Sequence, residues 1–182
     1  LDPNSFLPSS GAPLVWVNEV AVFEENTTVL DEALIEIKSA FTDATILYSL
    51  DGSDPASGNL YGGPFTTSTS VTLRAIAYNV DFSQEVSTLF THQIDVVPTF
   101  AISLGTSGGG VIKIEPGLDR YPVGTTVTIS AEADSGWKFL GWEGLTEETA
   151  EVQLTVTGDL SVNGLFGGGL TVKALGKGKV QV

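Results

Sequence analysis

Apolar and polar positions alternate over much of the chain. Val71, Leu73, Ala75 and Ala77 alternate with Thr72, Arg74 and Tyr78, and Val127, Ile129, Ala131 and Ala133 alternate with Thr128, Ser130, Glu132 and Asp134. That two-residue period predicts strands with one buried face. Leu14 to Phe23 suits an extended segment. Thr45 to Leu50 is β-branched and aromatic and runs into Asp51-Gly52-Ser53-Asp54-Pro55, which is dense turn chemistry. Phe90, His92 and Ile94 fall on one face of a further strand, as do Val152, Leu154 and Val156, then Leu160, Val162 and Phe166. Residues 29–41 fit two periods: Leu30, Leu34, Ile37 and Phe41 make a helical stripe, while Ala33, Ile35 and Ile37 alternate as in a strand. The strand reading is preferred because everything downstream is β. The chain is therefore predicted to be all-β.

The punctuation divides this pattern. Residues 1–13, with three prolines and Gly11, read as a linker or the end of a preceding module. Residues 14–97 hold short strands at the spacing of a β-sandwich, and Val97-Pro98 is a plausible boundary. Residues 98–167 form a meander of short strands. Ile102, Leu104, Gly108, Gly110, Ile112 and Ile114 recur as Leu170, Val172, Gly176, Gly178, Val180 and Val182 at a constant offset of 68, an internal repeat without a gap. Residues 168–182 accordingly read as the truncated start of a further repeat. The natural chain is expected to continue past Val182 and complete it. Two strands alone are marginal in water, so in isolation this segment should stay disordered or dock on a sheet edge.

Composition narrows the function. The 22 acidic against 8 basic side chains give a net charge of −14, which repels nucleic acid and anionic membrane surfaces. No Cys is present, so neither disulfides nor thiolate metal sites can form. No apolar run is long enough to span a bilayer as a helix. Absence of any Met, the initiator included, reads as an excised piece of a larger protein whose export signal lies upstream.

Candidate chemistry is sparse. His92 is the single histidine and would have to serve any Ser-His-Asp triad or His-based zinc site; on an apolar strand face it reads as structural. Paired carboxylates could hydrolyse glycosides if held about 5–10 Å apart, but no acid sits in a cleft-forming context. Asp51, Ser53 and Asp54 are candidate Ca²⁺ ligands, although the twelve-residue calcium loop with its terminal Glu is absent; the alternative is a hairpin turn built on Asx geometry, with Gly52 at positive φ. Trp137 and Trp142 could stack on sugars. Five residues apart on a regular strand, they would face opposite sides, so Trp142 is expected to be buried and Trp137, partly exposed, is the glycan candidate. Trp16 and Tyr61 are further aromatic candidates. Gly108-Gly109-Gly110 and Gly167-Gly168-Gly169 open no helix and precede no Lys-Ser/Thr pair, so they read as turn or linker. No residue is assigned a catalytic role, and no cofactor is implied.

Two stretches resemble known families. Ala44-Thr45-Ile46-Leu47-Tyr48-Ser49-Leu50-Asp51-Gly52-Ser53-Asp54-Pro55, Leu60-Tyr61-Gly62-Gly63-Pro64-Phe65 and Val71-Thr72-Leu73-Arg74-Ala75-Ile76-Ala77 resemble, in order, three motifs of the chitobiase/β-hexosaminidase C-terminal-type domain. That resemblance covers roughly residues 20–95 and implies a fibronectin type III/Ig-like β-sandwich that serves as a non-catalytic spacer. Tyr121 to Ile129, Gly136-Trp137-Lys138-Phe139-Leu140-Gly141-Trp142-Glu143-Gly144 and Ser161 to Phe166 resemble the divergent internalin-B-type B repeat. This implies a small β-rich, β-grasp-like module of bacterial surface proteins and no chemistry. Gly164 departs from the family pattern, where a small apolar residue is usual. Together the two imply structural or interaction modules, spacer or adhesin-like stalk, of a larger secreted or cell-surface bacterial protein, with neighbouring domains of the same chain as partners. The alternative is a glycan-binding accessory module of a carbohydrate-active enzyme, with polysaccharide or a cell-surface ligand as partner.

Overall fold

The computed structural model describes residues 11–88 and 91–169. The repeat start at Leu170 to Val182, and Phe90, lie outside the described residues. The chain divides between Pro98 and Thr99 into two compact units. Both are all-β; one short 3₁₀ turn, Pro55–Ser57, is the helical exception among the described residues.

The first unit comprises β1 (Leu14–Val17), β2 (Val20–Val22), β3 (Asn26–Leu30), β4 (Ala33–Lys38), β5 (Thr45–Ser49), β6 (Asn59–Leu60), β7 (Phe65–Thr67), β8 (Val71–Tyr78), β9 (Glu85–Ser87) and β10 (His92–Val97). One sheet runs β2-β1-β4-β7 and the other β3-β10-β8-β5-β6, with β9 on the same edge of β8 as β10. The β1–β2 hairpin turns on Asn18 and Glu19, both at positive φ, the geometry that matches the twist of a two-residue loop. Residues 29–41 are strand: Ala33, Ile35 and Ile37 are buried, and they outweigh the helical stripe because they meet Val15, Leu73, Ala75 and Ile94 in one core between the sheets. Leu30, which the stripe would bury, is exposed. Burying such side chains contributes about 1.5–3 kcal/mol each.

Sheet edges are where a sandwich loses backbone partners. β4 pairs with β7 only over Ala33 to Ile35. Beyond β7, the Ile37 N–H donates instead to the hydroxyl of Tyr61 at 3.0 Å. Tyr61 is held there by Phe65 and Tyr48, which stack with ring centroids 4.9 Å apart. The Leu60-Tyr61 segment thus closes the sheet edge with a side chain.

The second unit contains β11 (Thr99–Phe100), β12 (Ile102–Ser107), β13 (Gly110–Glu115), β14 (Tyr121–Pro122), β15 (Thr126–Ala133), β16 (Trp137–Glu143), β17 (Glu151–Thr155) and β18 (Leu160–Gly168). Two three-stranded sheets, β12-β18-β16 and β13-β15-β17, enclose its core, and β11 pairs with β14. The parallel β12–β18 pairing brings the two ends of the unit together. Tyr121, Val127, Ile129, Val152, Val156 and Val162 are its buried centre. Tyr121 donates its hydroxyl to the Pro116 carbonyl at 3.0 Å. Gly124 turns at φ +85°, and its N–H reaches the Val156 carbonyl at 2.8 Å. The Tyr-Pro-Val-Gly-Thr-Thr segment is therefore a buried anchor followed by a tight turn. Gly167 and Gly168 continue β18 opposite Lys138 and Trp137 rather than forming the turn or linker their composition suggested, because ring and side chain from β16 lie over them.

Candidate functional site

The loop after β5 brings Asp51, Ser53 and Asp54 together, but its geometry spends their oxygens on hydrogen bonds within the turn. Asp51 accepts the Ser53 N–H at 3.0 Å, and Ser49 donates to the Ser53 carbonyl at 2.7 Å. Asp54 caps the 3₁₀ turn by accepting the Ala56 N–H at 3.0 Å. Gly52 sits at φ +77°, and its N–H bonds the Thr72 carbonyl at 2.8 Å. Hydrogen bonds from Ser53, through the side chain and then the backbone, hold the Asp51 carboxyl below the usual carboxylate range. This is Asx-turn chemistry. Among the described residues no three His, Cys, Asp or Glu side chains converge as metal ligands.

His92 is buried on the core face of β10, level with Leu73 of β8. Its Nδ1 lies 3.1 Å from the Glu24 carbonyl. A carbonyl only accepts, so Nδ1 carries the proton. Burial pushes the imidazole below its ordinary value, and the bond to Glu24 opposes that shift. The carboxylates of the second unit are placed no more suggestively. A cavity of about 220 Å³ opens among Ile102, Leu145, Leu154 and Leu160 with one acid, Asp159, at its rim. Asp159 is engaged by the Ala101 N–H at 2.8 Å.

The two tryptophans of β16 are placed differently from expectation. They lie on the same side of the sheet. Phe139 pairs with Phe166 but Gly141 with Leu165, so Leu140 is an extra residue that shifts the register. A one-residue bulge moves every later side chain to the other face, and the odd spacing becomes even. Trp137, Phe139 and Trp142 consequently share the inner face. Trp142 is buried: its indole N–H donates to the Thr149 carbonyl at 2.8 Å, and its ring centroid lies 4.9 Å from that of Phe139. Trp137, at the end of the strand, is 40% exposed.

The position of Trp137 is fixed by the triple glycine of the β12–β13 turn. A β-carbon at Gly109 would stand 2.6 to 2.7 Å from Nε1, Cδ1 and Cε2 together, which places it over the face of the pyrrole ring, and one at Gly108 would meet Cζ3 at 2.8 Å. Only glycine permits this approach. The β12–β13 and β15–β16 turns are laced together, since Asp134 N–H donates to the Gly109 carbonyl at 3.2 Å and Trp137 N–H to the Asp134 carbonyl at 2.9 Å. Trp16 is buried beneath Lys38, whose Nζ lies 4.6 Å from the ring centroid, and Tyr61 is committed to Ile37. Of the four aromatic candidates, Trp137 presents the most open ring.

No curated protein matches the chain. Residues 24–94 match the family model of the chitobiase/beta-hexosaminidase C-terminal domain, and residues 100–168 match that of the divergent InlB B-repeat domain. The chain therefore carries these two domains, in that order.

Proposed function

We propose that this chain is a pair of non-catalytic structural and interaction modules of a larger exported bacterial protein, holding neighbouring domains in place as a spacer or surface stalk. The observation that carries the reading is where polar chemistry is spent. The carboxylates of the Asp51 to Asp54 turn, Asp159 and the single histidine are engaged by backbone groups, and the buried side chains are otherwise almost wholly apolar. General acid–base or nucleophilic chemistry needs a group whose proton or lone pair faces a substrate. The matched families, one a C-terminal domain and the other a repeat, fit this role. No helix among the described residues is long and apolar enough to cross a membrane.

Location is the part of this proposal that one experiment decides. Antibodies against residues 11–169 should label intact, unpermeabilised cells that make the natural protein, and external protease should remove the label. Labelling only after permeabilisation would overturn the assignment to the cell exterior.

A further inference from the structure

We propose that Trp137 is a stacking platform for an uncharged polysaccharide, a sugar contact that stands whether or not the pair also serves as a spacer. The ring rests on the Gly108-Gly109 backbone, and its strand and the glycine turn are tied through Asp134. It is thus held rigid before any ligand arrives, so little ordering entropy is lost on contact. A flat, fixed aromatic surface matches the C–H face of a pyranose, which is apolar in the middle and ringed by hydroxyls.

The surroundings supply partners for those hydroxyls. Asp134 and Ser135 are exposed in the β15–β16 turn that holds the ring. Ligand sites characteristically combine such an apolar floor with a few polar groups. Trp137 offers a single exposed indole as apolar contact. The other exposed apolar side chain of β16, Leu140, lies over Gly167 on the opposite face of the sheet and cannot extend it.

Charge selects among sugars. Residues 98–167 carry nine acidic and three basic side chains, and Asp134 stands exposed in the turn that holds the ring. An acidic polysaccharide would be repelled, which leaves neutral polymers.

The test is affinity electrophoresis of the whole chain through gels containing hydroxyethylcellulose, xylan, galactomannan or soluble β-1,3-glucan, with alginate as the acidic control. At least one neutral polymer should retard the protein and alginate should not. Trp137→Ala should weaken that retardation by about tenfold or more, equivalent to about 1.4 kcal/mol, with the near-ultraviolet dichroism of the buried tryptophans unchanged. Acrylamide quenching gives a second readout. Trp16 and Trp142 are 4% and 8% exposed, so the accessible fluorescence is that of Trp137, and bound oligosaccharide should shield it. Retardation by none of the neutral polymers, retardation that Trp137→Ala leaves unchanged, or binding that does not shield the accessible tryptophan would each overturn the proposal. If the alanine variant fails to fold, Trp137→Tyr and the quenching measurement on the natural chain decide it.

Discussion

Gly164 of β18 and Ile112 of β13 share one space in the core: a β-carbon at Gly164 would stand 2.9 Å from Ile112 Cδ1 and 3.2 Å from Phe166 Cε2. Phe166 has no room to retreat, because its ring already lies where a β-carbon at Gly110 would be. The family departure at Gly164 is thus compensated by a side chain from the opposite sheet. Gly164→Ala should cost about 1–2 kcal/mol, overpacking outweighing the entropy gained on removing a glycine. In an Ile112→Val background, which deletes Cδ1, the same change should cost about 1 kcal/mol less. Urea unfolding of the four members of this cycle checks the coupling, and additive effects would contradict it.

Tyr61 can be tested in the same way. Tyr61→Phe keeps the ring packed against Phe65 but leaves the Ile37 N–H without its acceptor at a half-buried edge. The expected loss is about 1–2 kcal/mol in the unfolding of the first unit. Faster amide exchange at Ile37 than at Ile35 should accompany it.

The buried histidine makes stability depend on pH. Its folded value lies below the ordinary 6.5, so below about pH 6.5 the unfolded chain takes up a proton that the folded chain resists. Its neutral-state burial therefore costs nothing above about pH 6.5, and stability falls as the pH drops through that value toward the lowered one. The melting temperature of the first unit should fall between about pH 7 and 5.5. His92→Leu should flatten that slope, although it sacrifices the bond to Glu24. An unchanged slope would assign the dependence elsewhere.

The turn at Asp51 to Asp54 predicts indifference to calcium. Millimolar Ca²⁺ should leave the melting temperature unchanged, because a ligand that binds only the folded state would raise it. Asp54→Ala should cost about 1 kcal/mol through loss of the cap on the 3₁₀ turn. A rise of several degrees with Ca²⁺, reversed by chelator, would contradict the turn account.

Much of this architecture is legible in local patterns. The alternation through Val71 to Ala77 and Val127 to Ala133 marks strands because each residue reports its own face. The ambiguity at residues 29–41 resolves on Ala33, Ile35 and Ile37, the positions that meet the second sheet. The shared face of Trp137 and Trp142 is not legible from spacing, because nothing marks Leu140 as an extra residue. The available signal was Gly141, an isolated strand glycine, here at φ +148°, of the kind that often accompanies a bulge. The pairings of Gly164 with Ile112 and of Tyr61 with Ile37 join positions 52 and 24 residues apart, so a local pattern carries no trace of them. The triple glycine at 108–110 reads as a turn; that it is also the floor for an indole depends on β16, three elements beyond β13.

The most direct test of the structural-module account is an exchange in the natural full-length protein. Residues 11–169 would be deleted, or replaced by two unrelated β-modules of equal length, and an epitope beyond the far end of the pair would be measured on intact cells, together with any catalytic turnover of the remaining domains on a small soluble substrate. The account predicts that deletion lowers epitope exposure, that the foreign modules restore it, and that turnover is the same in all three proteins. Loss of turnover in the replacement protein, with its remaining domains folded, would contradict it.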